Sequence, residues 1–211
     1  MKTIMVYGAA GGIGSAIGKY FKDRGSAVVA GVRHANGNGL VFADVIVEGD
    51  FSSEQDAAAM ARAVAEEVDQ IDLWVYAAGD IHYETAQNQN ANDWMRMFNA
   101  NLFGAQQTLK QSLPLLAAEA HIMMVGAYTD RLTMPGLSAY TASKAALAAY
   151  SAVIEKELRG MKVSLIRPSA VDTPFWKKVP FKLPANALLP EDVAEKVFSV
   201  YVQGLSGLVD L

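Results

Sequence analysis

Short apolar runs alternate along the chain with longer stretches in which apolar residues recur at helical spacing. The short runs are rich in β-branched side chains and predict strands covered on both faces, at residues 3–7, 27–32, 45–47, 73–77, 121–125, 162–166 and 208–211. The longer stretches predict helices at residues 13–24, 53–68, 92–117, 140–159 and 190–203. This alternation is typical of a doubly wound α/β fold, in which crossover helices join parallel strands of one sheet.

Two connections depart from this alternation. Residues 33–45 read Arg-His-Ala-Asn-Gly-Asn-Gly-Leu-Val-Phe-Ala-Asp-Val, with Gly and Asn at turn-forming positions and little room for a helix. We expect a loop there, and therefore a shortened second crossover. Residues 173–189 contain Pro174, Pro180 and Pro184 and have no clean periodicity. Because irregular segments in compact domains often cover a ligand, we predict that this segment is a lid.

Composition and charge fit a single globular domain that spans residues 1–211. Of these residues 52% are hydrophobic and 19% are charged, and no repeat or low-complexity tract indicates a second domain. The formal net charge is −4, and the chain has no basic stripe. A general nucleic-acid surface depends on clustered basic side chains, so we do not expect nucleic acid as a partner.

Cysteine and histidine usage argues against a metal site. The chain has no cysteine, and its three histidines, His34, His82 and His121, show no ligand spacing. The first apolar run is too short for the core of a signal peptide, and no apolar stretch approaches the roughly 20 residues that span a bilayer. We expect a cytoplasmic protein without a membrane segment.

A glycine cluster follows the first predicted strand and opens a helix, in the order Gly8-Ala-Ala-Gly11-Gly12-Ile13-Gly14. Glycines let the backbone turn tightly and approach a ligand, while the first amides of the helix attract a pyrophosphate. The spacing Gly-x-x-x-Gly-x-Gly differs from the general dinucleotide fingerprint, and a simple turn is the alternative. Because the cluster lies between a strand and a helix, we predict that Gly8, Gly12, Ile13 and Gly14 bind a dinucleotide.

The end of the second predicted strand indicates which dinucleotide is preferred. An acidic residue there would bind the ribose hydroxyls, whereas a basic residue accommodates a 2′-phosphate. The segment offers no acid and ends at Arg33. A guanidinium matches phosphate geometry, so we predict a preference for NADP(H) over NAD(H). The alternative is an ordinary arginine that faces solvent.

A tyrosine and a lysine lie four residues apart in the segment Ser138-Ala-Tyr140-Thr-Ala-Ser-Lys144. At this spacing the two side chains share one helix face, where an ammonium stabilises a phenolate and lowers the pKa of the tyrosine. Such a tyrosine is a candidate general acid or base. Taken alone the pair is a weak signal, because most Tyr-x-x-x-Lys pairs lie on protein surfaces.

Together these features closely resemble the short-chain dehydrogenase/reductase family, from residue 2 to nearly the end of the chain. The motifs that carry the resemblance occur in the order Gly8-x-x-x-Gly12-x-Gly14, Ala77-Ala78-Gly79, Asn101 within Asn-Ala-Asn-Leu, and Tyr140-x-x-x-Lys144. The resemblance implies a Rossmann-type sheet of seven mostly parallel strands and a nicotinamide-dependent oxidoreductase.

The resemblance also implies roles for individual residues. Tyr140 would donate a proton to a substrate carbonyl, and Lys144 would hydrogen-bond the nicotinamide ribose. Asn101 would hold a water that links Lys144 to solvent, although a core amide is the alternative. Further implied cofactor contacts are Asp50, Phe51, Ala77, Ala78, Gly79 and Thr173. An aspartate at position 50 is equally explained as a turn or helix-cap residue.

The chain departs from the family at the serine that normally shares the substrate oxygen. Counted back from Tyr140, that position is Ala127. Ser138 lies too close to Tyr140 along the helix and should point elsewhere. Three explanations stay open: Tyr128 or Thr129 supplies the donor, the substrate is activated enough not to need it, or the protein binds dinucleotide without turnover. We expect Ala127, Tyr128, Phe175 and Trp176 near the substrate.

The second explanation has a precedent within the family. Dihydropteridine reductases reduce an electrophilic quinonoid dihydropterin, and this chain resembles them at Val6-Tyr7-Gly8, at the shortened crossover and at Gly126-Ala127. The resemblance is partial, because that branch has an acid after the second strand where this chain has Arg33. A methyltransferase with a similar sheet is a further alternative, but it leaves the Tyr140 and Lys144 pair unexplained.

The resemblance implies assembly as well. The predicted helices at 92–117 and 140–159 present small and apolar residues, and family members pack such helices between two subunits. We expect a homodimer, with a tetramer as the alternative.

Overall fold

Seven parallel strands form one sheet in the order β3-β2-β1-β4-β5-β6-β7 in the computed structural model, which describes residues 1–34 and 37–211. The strands are β1 (Thr3–Tyr7), β2 (Ala27–Val32), β3 (Val45–Glu48), β4 (Ile71–Tyr76), β5 (Leu116–Val125), β6 (Lys162–Arg167) and β7 (Gly207–Asp210). The α-helices are α1 (Gly12–Lys22), α2 (Glu54–Glu67), α3 (Ala91–Phe98), α4 (Gly104–Ser112), α5 (Ser138–Glu157) and α6 (Pro190–Gln203). Each neighbouring pair of strands is parallel, which confirms the predicted Rossmann-type architecture in a single domain.

The sheet reverses its direction of growth between β1 and β4. From β1 the chain adds β2 and β3 on one side, then returns to place β4 on the other side of β1. Tyr7 at the end of β1 is in register with Tyr76 at the end of β4. The carboxyl ends of these strands therefore open a crevice at the point where ligands bind in doubly wound folds.

Alternate residues of β1 show why both faces of the sheet are covered. Ile4 and Val6 pack in the cluster that contains α1 and α6, whereas Met5 and Tyr7 pack in the cluster that contains α2, α4 and α5. All four side chains are essentially inaccessible to solvent. Burial of each contributes about 1.5–3 kcal/mol relative to exposure, so helices on both faces stabilise the sheet.

The predicted helix at residues 92–117 is wrong as a single element. The chain there forms α3, then a π-helix (Asn99–Phe103), then α4 and a 3₁₀ turn (Leu113–Leu115), and β5 already begins at Leu116. Pro114 in the 3₁₀ turn has no amide to continue a helix. The Ala-rich residues that follow favour a helix locally, but they belong to β5, where Leu116 lies opposite Ile71 and the register shifts before His121 pairs with Leu73. Tertiary pairing overrides local propensity here.

Both connections are irregular, as predicted, while the role of residues 173–189 as a lid stays a prediction. After β2 the described part of the connection holds a 3₁₀ turn (Gly37–Leu40) and no α-helix, and residues 35 and 36 of the predicted loop lie outside the described residues. Residues 173–189, which we call the lid segment, contain a 3₁₀ helix (Pro174–Lys178). An isolated bridge between Val171 and Leu188 brings the two ends of this segment together.

In the part of the chain that the structure describes, no helix is long and apolar enough to cross a membrane. The same residues contain no cluster of His, Asp and Glu side chains suited to a metal ion.

Candidate active site

The glycine loop after β1 packs directly against the end of β4. Gly8 has a φ of +86°, and a Cβ on it would lie 2.5 Å from the backbone nitrogen of Ala78. A Cβ on Gly14 would lie 2.2 Å from the carbonyl oxygen of Gly8. Ala77, the first residue after β4, donates its amide to the carbonyl of Tyr7 at 2.9 Å. The predicted glycine, Ala77 and Ala78 positions thus meet in one backbone-lined wall of the crevice.

The start of α1 presents unpaired donors at this wall. The amides of Gly12, Ile13 and Gly14 have no acceptor among the described residues, and the first turn of α1 contains no acidic side chain. Free amides and the positive end of a helix dipole favour an anionic group. A Cβ on Gly12 would lie 2.8 Å from the methyl carbon of Thr173, so Thr173 reaches the same helix end. These residues fit the pyrophosphate of a nicotinamide dinucleotide.

Arg33 and Asp50 lie together farther along the crevice, beyond the ends of β2 and β3. Both line a cavity of about 290 Å³, with Phe51 and Tyr76 as its apolar wall. Arg33 also lines a second cavity, of about 560 Å³, together with Glu48. The surroundings of the guanidinium therefore carry acidic as well as basic charge.

Asp50 has a structural role of its own. Its carboxylate accepts hydrogen bonds from the backbone amide and the hydroxyl of Ser52, at 2.9 and 2.8 Å. Burial raises the pKa of Asp50, but these hydrogen bonds and the charge of Arg33 outweigh burial, so its pKa lies below the ordinary value. The turn interpretation of Asp50 is thus confirmed, while contact with an adenine stays a prediction.

Tyr140 and Lys144 lie one turn apart on α5, and both side chains are buried. The Nζ of Lys144 donates to the carbonyl oxygen of Val125, the last residue of β5, at 2.9 Å. No described residue hydrogen-bonds to the Tyr140 hydroxyl, and the Phe175 ring of the lid segment lies 6.2 Å from the Tyr140 ring. The phenol is fixed by packing while its oxygen stays available to a ligand.

The pKa values of this pair differ from the sequence-based expectation. Burial raises the pKa of Tyr140 to about 12 and lowers the pKa of Lys144 to about 8. We expected the ammonium to lower the pKa of the tyrosine, but loss of water around both groups is the dominant effect. In the protein without ligand Tyr140 therefore keeps its proton at neutral pH, as a proton donor requires.

Asn101 lies in the π-helix and is completely buried. Its amide nitrogen donates to the carbonyl of Asp80 at 2.9 Å and to the Ser143 hydroxyl at 3.0 Å, and its amide oxygen accepts from the Asp80 nitrogen at 3.0 Å. A Cβ on Gly79 would lie 2.8 Å from that oxygen and 3.5 Å from the Nζ of Lys144. Asn101, Lys144 and the end of β4 thus converge around Gly79, and the widened helical turn is typical of functional sites.

On the proposed substrate side, the crevice is lined by side chains and not by glycine backbone. Ala127 contributes no hydroxyl, and the ring of Tyr128 lies 5.0 Å from the guanidinium carbon of Arg167. Trp176 donates its indole N–H to the carbonyl of Val171 at 2.9 Å. The Ser138 hydroxyl donates to Gln89, so it does point away from Tyr140, as predicted.

Sequence reasoning missed two residues that shape the site. Ser143 lies three residues after Tyr140 and connects the Tyr140 carbonyl to Asn101, which helical spacing alone could have suggested. Asp80 follows Gly79 and is held by Asn101 through its backbone. No local sequence signal marks this contact, because it joins residues 21 positions apart.

Comparison of the sequence with known proteins finds a dehydrogenase family model and oxidoreductase relatives. The family model described as short chain dehydrogenase matches residues 2–183. The uncharacterized oxidoreductase YbbO of Escherichia coli (strain K12) is 31% identical over 224 residues, which cover 95% of this chain and 81% of that protein. The uncharacterized oxidoreductase SERP2049 of Staphylococcus epidermidis is 29% identical over 189 residues, which cover 85% of this chain and 82% of that protein.

Solved structures share the fold over the whole chain. A 3-ketoacyl-(acyl-carrier-protein) reductase from Brucella melitensis, complexed with NADH, has a TM-score of 0.91 at 23% identity and covers 100% of this chain and 96% of its own. An alcohol dehydrogenase from the archaeon Thermococcus sibiricus, complexed with 5-hydroxy-NADP, has a TM-score of 0.88 at 24% identity, with 100% and 96% covered. With its matched family model and its oxidoreductase relatives, the chain belongs to the short-chain dehydrogenase family of oxidoreductases.

Proposed function

We propose that this protein transfers a hydride between NADP(H) and a small carbonyl or alcohol, or an activated conjugated substrate, with Tyr140 as the general acid and base. The observation that carries the proposal is the buried side chain of Tyr140, which lies one helical turn from Lys144 and whose hydroxyl has no hydrogen-bond partner among the described residues. When bound, the dinucleotide supplies or accepts the hydride at its nicotinamide ring.

The chain's own residues supply the proton and hold the geometry. In the reductive direction Tyr140 donates its proton to the substrate oxygen, and in the oxidative direction it takes the proton back. Lys144 contributes positive charge next to the phenol and a donor for the ribose. Asn101 keeps the end of β4 against α5 and offers a site for a bridging water. Gly8, Gly12, Ile13 and Gly14 bind the pyrophosphate.

The decisive experiment follows oxidation of NADPH with a panel of reactive carbonyls, quinones and quinonoid dihydropterin. We expect turnover on at least one substrate and a loss of roughly 10²–10⁴-fold in Tyr140→Phe, the usual contribution of a positioned proton donor. Tyr150→Phe is the matched control, because Tyr150 lies on the same helix α5 but packs in the cluster that contains α2 and α4, away from Tyr140. Full activity of Tyr140→Phe would refute the role of Tyr140.

The preference for NADP(H) rests on Arg33. Its guanidinium is exposed at the cavity where an adenosine ribose would lie, but Glu48 lies in the same surroundings. The two solved neighbours named above contain different dinucleotides, so they favour neither. We expect a lower dissociation constant for NADPH than for NADH, and we expect Arg33→Ala to remove the difference. Tighter binding of NADH by the unaltered protein would overturn the preference.

A second candidate is reduction of a quinonoid dihydropterin. It is favoured by Ala127, because an activated substrate depends least on a second donor to its oxygen. Turnover of quinonoid dihydropterin without turnover of simple ketones would select this candidate. Tight NADPH binding without turnover on any substrate would instead indicate a dinucleotide-binding sensor or scaffold.

We also propose that the protein acts as a homodimer in the cytoplasm. Helix α5 exposes a stripe of Ala145, Ala149, Ala152 and Val153, and the exposed Phe103 lies near α4. Light scattering should give a dimer, which Val153→Glu should dissociate. A tetramer that survives Val153→Glu would place the main interface elsewhere, for instance at Leu208 on the edge strand β7. The cytoplasmic location rests only on the cysteine-free composition, which fits a reducing compartment.

A further inference from the structure

Asp80 connects the lid segment to the candidate active site. Its backbone nitrogen and carbonyl oxygen are both held by the Asn101 amide, at 3.0 and 2.9 Å. Its Oδ1 accepts from the Nζ of Lys178 at 2.6 Å and from the amide of Ile81 at 2.9 Å. Its Oδ2 lies 3.3 Å from the Nε of Arg96 on α3. One residue therefore contacts the proposed proton path, the lid segment and α3.

Lys178 is the last residue of the lid segment's 3₁₀ helix. Its ammonium also lies 5.7 Å from the centre of the Phe175 ring, and that ring packs edge-on against Tyr140. At the other side of the 3₁₀ helix Trp176 is fastened to the carbonyl of Val171. In the described chain, the Lys178 to Asp80 pair is the ion pair that joins the lid segment to the body of the protein.

The charges around Asp80 suit a contact that opens and closes. The Asp80 side chain is only 15% exposed, so leaving its carboxylate without a cation would be costly. Arg96 lies 3.3 Å from the same carboxylate but belongs to α3, so its contact does not depend on the position of the lid segment. Lys178 is about half exposed and regains water as it departs. The ion pair therefore adds to the apolar contacts of Phe175 and Phe181 that also hold the lid segment against the crevice.

We propose that Asp80 is a latch, a positioning residue that holds the lid segment closed over Tyr140 through its ion pair with Lys178. The latch rests on the proposed function, because it assigns the closed lid segment to the substrate side of the same crevice. Because the Asn101 amide holds the backbone of Asp80, the latch fixes the position of the closed lid segment relative to the proposed proton path.

Limited proteolysis with chymotrypsin tests the latch without any need for turnover. The lid segment contains Phe175, Trp176 and Phe181, which are cleavage sites that open conformations expose. We expect Lys178→Gln and Asp80→Asn to speed cleavage there by about two- to fivefold, as the loss of a half-exposed ion pair predicts. The double variant should be cleaved no faster than either single variant, because both remove the same contact.

Two matched controls separate the latch from a general loss of charge or stability. Lys177→Gln removes the neighbouring lysine, which makes no ion pair among the described residues, and should leave cleavage unchanged. Lys178→Arg keeps a cation within reach of Asp80 and should restore slow cleavage. Equal cleavage of the Lys178→Gln and Lys177→Gln variants would overturn the proposal, and so would additive effects in the double variant.

Kinetics give the second readout. We expect Lys178→Gln to raise the KM for the carbonyl substrate several-fold, while the dissociation constant of NADPH stays the same. An altered NADPH constant with an unchanged KM would contradict a lid-specific role. If no substrate turns over but cleavage responds as expected, the latch stands and the proposed activity fails. If turnover occurs and cleavage does not respond, the activity stands and the latch fails.

Discussion

The two sides of the crevice are built in different ways. On the side of β1 and β4, backbone packs closely on backbone and on a buried amide: a Cβ at Gly8 would strike the backbone of Ala78, and a Cβ at Gly79 would strike the Asn101 side chain. On the side of β5 and β6, the wall consists of side chains from irregular segments, such as Phe175 and Trp176 of the lid segment. The first side leaves almost no freedom in residue type, whereas the second tolerates many side chains.

This difference explains which properties of the protein can be inferred. Where the wall admits only glycine, the sequence contains a recognisable glycine motif. Dinucleotide binding can be inferred from that motif. A wall of interchangeable side chains has no motif, so the substrate has to be found by experiment. The missing hydroxyl at Ala127 belongs to the second wall and changes the chemistry without disturbing the first.

The largest effect should come from crowding the backbone wall. Gly8 and Gly25 both have positive φ, but a Cβ on Gly25 would meet nothing within 4 Å. Gly25→Ala should cost about 1–2 kcal/mol in the free energy of unfolding, the strain of a left-handed alanine. Gly8→Ala should cost about 1–3 kcal/mol more, because its Cβ also displaces the end of β4. Urea unfolding measures both, and equal losses would mean that the wall is not tightly packed.

Removal of the Asn101 amide should have the next largest effect. Asn101→Ala leaves the backbone groups of Asp80 without their partners, and a buried unpaired polar group costs about 1–3 kcal/mol. Asn88→Ala, at an exposed amide of the preceding loop, should change the free energy of unfolding little. Urea denaturation compares the two variants. A loss at Asn101 as small as that at Asn88 would contradict the structural role of the amide.

The fold could be predicted from the sequence because the local hydrophobic patterns favour the same strands and helices that the sheet requires at nearly every position. The bounds of β1, β2 and α6 are as expected, since apolar runs of that kind have one stable position in a covered parallel sheet. The failure at residues 92–117 has a physical cause. Asn101 lies in a π-helix and hydrogen-bonds to Asp80 and Ser143, which are long-range contacts that no short-range pattern encodes. Residues 116–120 belong to the strand β5, in which Leu116 pairs with Ile71 of β4, a contact between residues 45 positions apart.

In the candidate site, too, the features fixed by local structure were predictable and those fixed by distant contacts were not. Tyr140 and Lys144 were found by their spacing, because α5 fixes their relative position. The pKa of Tyr140 could not be inferred from spacing, since it depends on burial by residues from distant segments such as Ile81 and Met97. The connection of Lys178 to Asp80 spans 98 positions and was invisible for the same reason.

The buried lysine predicts a pH dependence. Burial lowers the pKa of Lys144 to about 8, so its ammonium is present below that pH and is lost as the pH rises through it. Because kcat/KM reports the groups of the free enzyme, it should fall up to about tenfold for each pH unit above about 8. Tyr140, with a pKa near 12, stays protonated over this range. Lys144→Met should abolish the fall, and a fall that persists in this variant would assign it to another group.

A serine at position 127 should have the smallest effect of the four changes. It tests most directly whether the side-chain wall can be altered without altering the backbone wall. Ala127→Ser places a donor beside the substrate oxygen without touching the backbone wall, so the free energy of unfolding and the NADPH dissociation constant should hardly change. We expect kcat for an unactivated ketone to rise about three- to tenfold, less than a donor contributes in a site evolved around it. Quinonoid substrates, which need the donor least, should gain little. Ala149→Ser on the exposed face of α5 is the control. An equal gain on both substrates would show that the serine acts on the lid segment or the cofactor instead of on the substrate oxygen.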